Sequence, residues 1–380
     1  MKKIYLAIIA CMWVSLSLAQ KPVIESSQMS FTVDTVVTGL GVLWSFEFIS
    51  DDEVLLAERE GRMKIYNLGT KELRDVEGLP EIVAKGQGGL FDIELHPDYK
   101  NNKFIYFSYS SPKQDGEEGE GQNTAFMRAR IKKDKLVNKE LIFKALPNYE
   151  TNHHFGGRIE FDREGYLYLS VGDRGGRDFV QEMNNNRGKI FRLHDDGAVP
   201  KDNPYVNTPG VKPEIYSNGH RNQQGMAMNP ETGEIWEHEH GPMGGDEINI
   251  IKPGVNYGWP TISYGVNYNG TSFTDLTEQE DMSQPLYYWL PSIAPCGMEF
   301  VTSDKYPNWK GDLLVGSLKF RNLVHCEIYE SRVLHEEVVL EGIGRVRSIR
   351  QGPDGFIYVG TEGPGMLVRL VPAEKVEEEK

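Results

Sequence analysis

Six segments of this 380-residue chain repeat one plan: a strand-like run, a turn, a second strand-like run, then a polar or glycine-rich stretch. They are "WSFEFISDDEVLLAEREG" from Trp44, "GLFDIELHPDYKNNKFIYFSYS" from Gly89 and "GRIEFDREGYLYLSVGDRGG" from Gly157. The others are "GMAMNPETGEIWEHEHG" from Gly225, "GMEFVTSDKYPNWKGDLLVGSLK" from Gly297 and "VRSIRQGPDGFIYVGTEG" from Val346. They recur every ~45 to 70 residues, the period of propeller blades. Further strand candidates lie between them, among them "GRMKIYNL", "TAFMRARIKK" and "GKIFRLHDDG". Each unit thus has material for about four strands. The expected fold is all-β, a six-bladed β-propeller with four-stranded antiparallel blades. A pair of β-sandwiches would need no repeated hairpin. There is no alternating β-α-β pattern and no GxGxxG between a strand and a helix, which removes most of the case for a nicotinamide-binding fold.

The expected division is a signal peptide over 1–19, an N-terminal segment over 20–34, a propeller catalytic domain over 35–371 and a charged tail over 372–380. Lys2 and Lys3 precede an apolar run, Ile4 to Leu18, and "SLA" suits cleavage after Ala19. That run is short for a membrane span. "IIAC", residues 8–11, also resembles a lipoprotein box with Cys11 lipidated, but the apolar run continues past Cys11 and favours the simple signal. Export, with a periplasmic destination, is expected. A net charge of −15 argues against nonspecific nucleic-acid binding. Cleavage would leave Cys296 and Cys326, whose spacing does not decide whether they pair. The absence of a CxxC speaks against a cysteine zinc site. The acidic, glycine-rich stretch over 112–123 reads as an exposed loop.

The third hairpin carries the first chemical signal. Its runs, Arg158–Phe161 and Tyr166–Val171, are separated by Asp162-Arg163-Glu164-Gly165, a turn composition. In an antiparallel hairpin the start of one strand lies beside the end of the next. His154 and Asp173 should therefore be neighbours. A histidine with a carboxylate beside it is a general base with an orienting partner; a polar hairpin end that binds nothing is the plain alternative. The same end of the other hairpins carries Gln87, then Arg221, Asn222 and Gln224, then Lys319, then Arg345 and Arg347. Arg221, Lys319, Arg345 and Arg347 converging on one mouth point to a multiply anionic ligand. A one-residue slip of register would turn any of them to the other face. The stretch "EHEHGPMGGDEIN", residues 237–249, leaves three readings open. His238 and His240 share a strand face and suit a transition metal. Its carboxylates and turn carbonyls suit a hard cation. A charged turn needs neither.

Taken together, "NHHFGGR", "GDRGG", "GHRNQQGMA", "EHEHGPMGGDEIN", "NYGWP", "GSLK" and "GRVRSI" resemble, in order, the soluble quinoprotein sugar dehydrogenases. These are the glucose and aldose sugar dehydrogenases that depend on pyrroloquinoline quinone (PQQ). The resemblance runs from about residue 35 to residue 371 and is nearer the aldose sugar dehydrogenase branch, because the loops are short. It implies a six-bladed propeller, with PQQ and Ca2+ as cofactors. It implies His154 as catalytic base, Asp173 as its orienting partner, and Arg221, Asn222 and Gln224 as quinone contacts. Lys319, Arg345 and Arg347 fall on further cofactor contacts, and Gln87 on a substrate contact. The carbonyls of Gly241 and Pro242 fall on the ligands of the cofactor's calcium, and Glu247 and Tyr257 on those of a second, structural calcium.

The implied reaction is oxidation of the anomeric carbon of an aldose to a lactone by hydride transfer to the quinone. Arg221 would also stabilise charge developing on the quinone oxygen. The implied partners are a small-molecule aldose and an external electron acceptor, with no nucleic acid and no stable membrane span, in a monomer or homodimer. His153 departs from relatives with an acidic residue there. The substrate loops of the glucose-specific members are not found, which favours a broad aldose or oligosaccharide preference. A calcium-dependent lactonase-type hydrolase and a non-catalytic carbohydrate-binding propeller are the competing readings. The cation cluster speaks against the first, and the His154–Asp173 pair against the second.

Overall fold

The computed structural model describes residues 21–373. The expected signal peptide with its Cys11 box lies outside the described residues, as does most of the charged tail. The chain forms six antiparallel sheets arranged as a six-bladed β-propeller. The innermost strands are Leu43–Phe48, Leu90–Leu95, Ile159–Phe161, Gln223–Met228, Pro295–Phe300 and Arg345–Gln351. Each touches the next, and the sixth touches the first, so the ring closes. All six repeated hairpins supply the first two strands of a blade. Among the described residues, helix is confined to the short turns Tyr99–Asn102 and Arg177–Phe179.

Closure depends on the two ends of the chain meeting. Strand Ser30–Leu40 pairs antiparallel with Gly365–Ala373, from Ser30 opposite Ala373 to Leu40 opposite Gly365. Ile24–Glu25 adds a short fifth strand outside it. The pairing of this blade thus reaches back to Ile24, ahead of residue 35.

The core lies between blades. Leu55, Ala57 and Ile65 of the first blade pack on Ile93 and Phe107 of the second. Phe126 of the second packs with Ile159, Leu169 and Phe191 of the third. Trp236 and Ile248 of the fourth meet Met298 and Leu313 of the fifth. A strand with apolar residues on both faces is what a sheet stacked on two neighbours requires. Leu169 is 0 % exposed at such an interface. Leu169→Ala is expected to lower unfolding free energy by about 2–5 kcal/mol, read from denaturant melts.

Close approach explains a blade-starting glycine. A Cβ on Gly89 would lie 1.8 Å from the carbonyl oxygen of Arg59. That carbonyl accepts the N–H of Leu90 at 3.1 Å, joining the turn after the first blade's second strand to the second blade's first strand.

The inner strands run in one direction along the axis, so their ends define two different faces. At the finish, Glu47, Glu94, Glu160 and Glu299 gather around Arg350. At the start lie the residues that the sequence marks for chemistry. Cys296 and Cys326 are both buried free thiols of the fifth blade and do not pair.

Candidate active site

His154 and Asp173 are neighbours, as the hairpin requires. His154 Nδ1 lies 2.7 Å from Asp173 Oδ1. Asp173 is 2 % exposed at its side chain, and His154 15 %. Two donors fix the carboxylate: the Gly175 N–H reaches Oδ1 at 2.7 Å and Trp259 Nε1–H reaches Oδ2 at 3.0 Å. Burial pushes Asp173 up, but its bonds and charge partners, His154 first, hold it below the usual carboxylate range. An ionised carboxylate only accepts, so Nδ1 carries the proton and Nε2 keeps its lone pair. Burial lowers the pKa of His154 below the ordinary imidazole value, partly countered by Asp173.

The backbone around this base is tightly built. His154 has φ 53°, a left-handed conformation rare in a non-glycine residue. Its N–H donates to Gln87 Oε1 at 2.8 Å, and its carbonyl accepts from the Arg174 N–H at 3.3 Å. A Cβ on Gly172 would lie 2.4 Å from that carbonyl, so glycine is what lets the two loops meet. His153 stands beside the base, the two rings 4.7 Å apart and edge-on.

A cavity of about 280 Å3 opens at the axis; His154 and Asp173 are not in its lining, but Phe155 and Gly156, next to His154 in the chain, and its partner Gln87 are. Gln87, Asn222, Gln224, Arg345 and Arg347 line it, over a floor that includes Trp44, Phe91 and Phe155. Arg221 lines a smaller adjoining cavity with Gly241, Glu247 and Tyr257, and His240 faces both. Arg221 donates through Nη1 to the carbonyls of His240 and Gly241, at 2.9 and 2.8 Å. Its buried Nε has no acceptor among the described residues. Lys319 lies outside both cavities. It is exposed, donates to the Ser292 carbonyl at 3.0 Å, and sits over the Phe320 ring. Pro242 lines neither cavity.

Residues 40–369 match the Glucose / Sorbosone dehydrogenase family. The chain belongs to that family. It is 38 % identical over 336 residues to "Aldose sugar dehydrogenase YliI" of Escherichia coli (strain K12), a match covering 87 % of this chain and 90 % of that one. It is 32 % identical over 298 residues to "Quinoprotein glucose dehydrogenase B" of Acinetobacter calcoaceticus, covering 71 % and 60 %. The structure of the soluble aldose sugar dehydrogenase of Escherichia coli in its apo-form superposes with a TM-score of 0.84 at 36 % identity, over 90 % of this chain and 100 % of that one.

Several residues of this dehydrogenase's site escaped the sequence reading. Glu362 bridges the arginine pair: Arg345 Nε reaches one oxygen, and Arg347 Nε the other at 2.7 Å. The signal was present, since Arg345 stands opposite Glu362 in the last hairpin. Trp259 belongs to "NYGWP" and holds both Asp173 and, through its ring, Arg221. Arg59 also lines the main cavity and forms no salt bridge with another described residue. The histidine pair of "EHEHGP" does share a face, and one nitrogen of each ring meets a carbonyl, while Nδ1 of His238 is buried without a partner. His238 Nε2 meets the Gly297 carbonyl at 3.2 Å, and His240 Nε2 the Pro295 carbonyl at 2.8 Å. Both contacts point at the fifth blade's inner strand, so the pair braces two blades through Nε2.

Proposed function

We propose that this chain oxidises the anomeric carbon of aldose sugars to lactones, with PQQ and calcium as cofactors and His154 as general base. One observation carries the reading: a buried carboxylate fixes the base's tautomer beside a cavity supplied with arginines and amides. The residues present suit the cofactor. The unmet Nε–H of Arg221 wants an oxygen acceptor. Arg345 and Arg347 keep guanidinium nitrogens beyond those engaged by Glu362 for ligand carboxylates. Asn222 offers an amide donor, Gln224 would exchange one of its Nε2 bonds, to the Gln223 carbonyl or Asn222 Oδ1, for the cofactor, and Lys319 would add a cation from outside the cavity. Gly241 and Pro242 would hold the cofactor's calcium through their carbonyls. Glu247, pushed up to about 8 by burial and then by Glu239, is a carboxylate in want of a cation, and would hold a structural calcium with Tyr257. When bound, the quinone supplies the hydride acceptor and calcium polarises it.

The chain's own part is proton handling and position. His154 Nε2 takes the proton of the anomeric hydroxyl, and Asp173 stabilises the resulting imidazolium. Gln87 holds the base's backbone and offers its amide to the sugar. Arg221 places positive charge where oxygen charge develops. The reading includes export to the periplasm, a broad aldose preference and an external electron acceptor. No helix among the described residues is long and apolar enough to cross a membrane.

The test is dye reduction by the purified chain across a panel of aldoses, with and without PQQ and calcium. Activity requiring both supports the reading; turnover of lactones in place of aldoses would move the hydrolase reading to the front. A pH prediction accompanies it. Because burial depresses His154, the base stays neutral to lower pH than a free imidazole, whose pKa is ~6.5. The acid limb of kcat/KM is expected below that value, and a limb above it would contradict the assignment.

A further inference from the structure

Beside the smaller cavity, whose wall Glu239 shares with Glu247 and Tyr257, lies a buried group to which the reading above gives no ligand. His220, Glu237 and Glu239 bring one ligand atom each to within 4.8 Å of one another. His220 Nδ1 is 3.2 Å from Glu239 Oε1 and 3.8 Å from Glu237 Oε1. His220 and Glu237 are 0 % exposed and Glu239 is 4 %. Three donors around a small divalent ion at 2.0–2.2 Å stand about 3.4 Å apart in tetrahedral geometry, which is the scale seen here.

Two further observations point to a cation. Glu237 Oε2 is buried with no hydrogen-bond partner. So is the side-chain oxygen of Asn249, whose Nδ2 donates to Glu237 Oε1 at 3.0 Å and to Glu247 Oε2 at 3.4 Å. Both orphaned atoms are acceptors, and both belong to one cluster. No lysine or arginine among the described residues forms a salt bridge with Glu237 or Glu239. Buried carboxylates are normally paired or bound to metal. The rest of the cluster is already oriented. His220 Nε2 meets Ser217 Oγ at 2.9 Å, its ring stacks on Tyr257, and Glu239 Oε2 accepts from the backbone N–H groups of Arg221 and Asn222. Such outer contacts are what hold metal ligands in place.

We infer that His220, Glu237 and Glu239 bind a transition-type divalent cation, Zn2+ or Mn2+, distinct from the calcium assigned to Glu247 and Tyr257. One imidazole nitrogen and two carboxylates favour such ions over calcium, which takes six to eight oxygens. Asn249 separates the two donor sets. The ion would brace the turn that presents Arg221 and Asn222, because Glu239 holds both of their N–H groups. The inference does not depend on the sugar or on the quinone.

The full chain, stripped with chelator and kept without PQQ, is mixed with excess Ca2+ and then with Zn2+ or Mn2+. Retained metal is counted after desalting, and Co2+ in place of either reports nitrogen ligation by its absorption bands. One equivalent retained against excess calcium is expected. Glu237→Gln and His220→Gln should each weaken binding at least ~10-fold and abolish the rise in Tm that Zn2+ gives the unaltered chain. Loss of retention in Glu247→Gln but not in Glu237→Gln would place the ion in the calcium site and overturn the inference. So would no retained metal, together with a folded Glu237→Gln that melts no lower than the unaltered chain, since Glu237 is then simply a neutral acid.

Discussion

His154→Ala is expected to lower kcat for aldose oxidation by ~10^2- to 10^4-fold, the range of a lost general base, while quinone affinity changes little. The separation follows from position. His154 lies beside the cavity, and the cationic and amide groups that line it belong to other blades. Asp173→Asn should cost activity of similar order without removing the base. An amide in that place would turn its own N–H groups toward one of three donors, His154 Nδ1–H, Gly175 N–H or Trp259 Nε1–H, where the carboxylate accepts all three. The tautomer that exposes the Nε2 lone pair would then lose its reason to persist. Kinetics of quinone-loaded variants, with binding measured separately, check both. A His154→Ala protein that keeps its kcat removes the base from the account.

The second large effect concerns the arginine pair. Arg347→Ala is expected to weaken PQQ binding by roughly 10- to 150-fold, one charge-assisted hydrogen bond's worth. Arg347 is buried, and its Nε is held by Glu362 at 2.7 Å. Removing it deletes a cation and leaves Glu362 with Arg345 as its one guanidinium partner, and both changes make the cavity wall less attractive to an anionic ligand. Glu362→Gln makes the opposite prediction. It keeps both guanidinium groups and removes the internal anion that shares them, so quinone affinity should hold or rise. Calorimetric titration with PQQ distinguishes the two. Equal losses in both variants would mean that the salt bridge shapes the site and the charges do not select its ligand.

The propeller was legible because each blade carries its own copy of the signal. Six hairpins voted for one period, and errors in a single run did not matter. What failed was pairing without a local turn. Nothing near Ser30–Leu40 announces that its partner is Gly365–Ala373, at the other end of the chain. The candidate site divides in the same way. His154 and Asp173 were readable because one hairpin joins them. The last hairpin joins Glu362 to Arg345 as well, but a single glutamate at a strand end in an acidic chain carries no signal apart from the cations it neutralises. For His238 and His240 the shared strand face was legible but what their Nε2 atoms meet was not: a residue pattern gives direction, while the carbonyls of Gly297 and Pro295 come from a neighbouring blade. The His220–Glu237–Glu239 group was open to the same argument as His154–Asp173, since the fourth hairpin joins His220 to Glu239 across the same nineteen residues, but the histidines of "EHEHGP" stood in front of its glutamates.

The most direct test is a single-turnover measurement on the PQQ- and calcium-loaded chain mixed with an aldose in the absence of any external acceptor. Absorbance of the oxidised cofactor should fall by one equivalent per chain, and the fall should be at least ~10^2-fold slower in a His154→Ala protein loaded to the same extent. A loaded chain whose cofactor spectrum is unmoved by every aldose, or a His154→Ala variant that reduces it at the unaltered rate, would contradict the account.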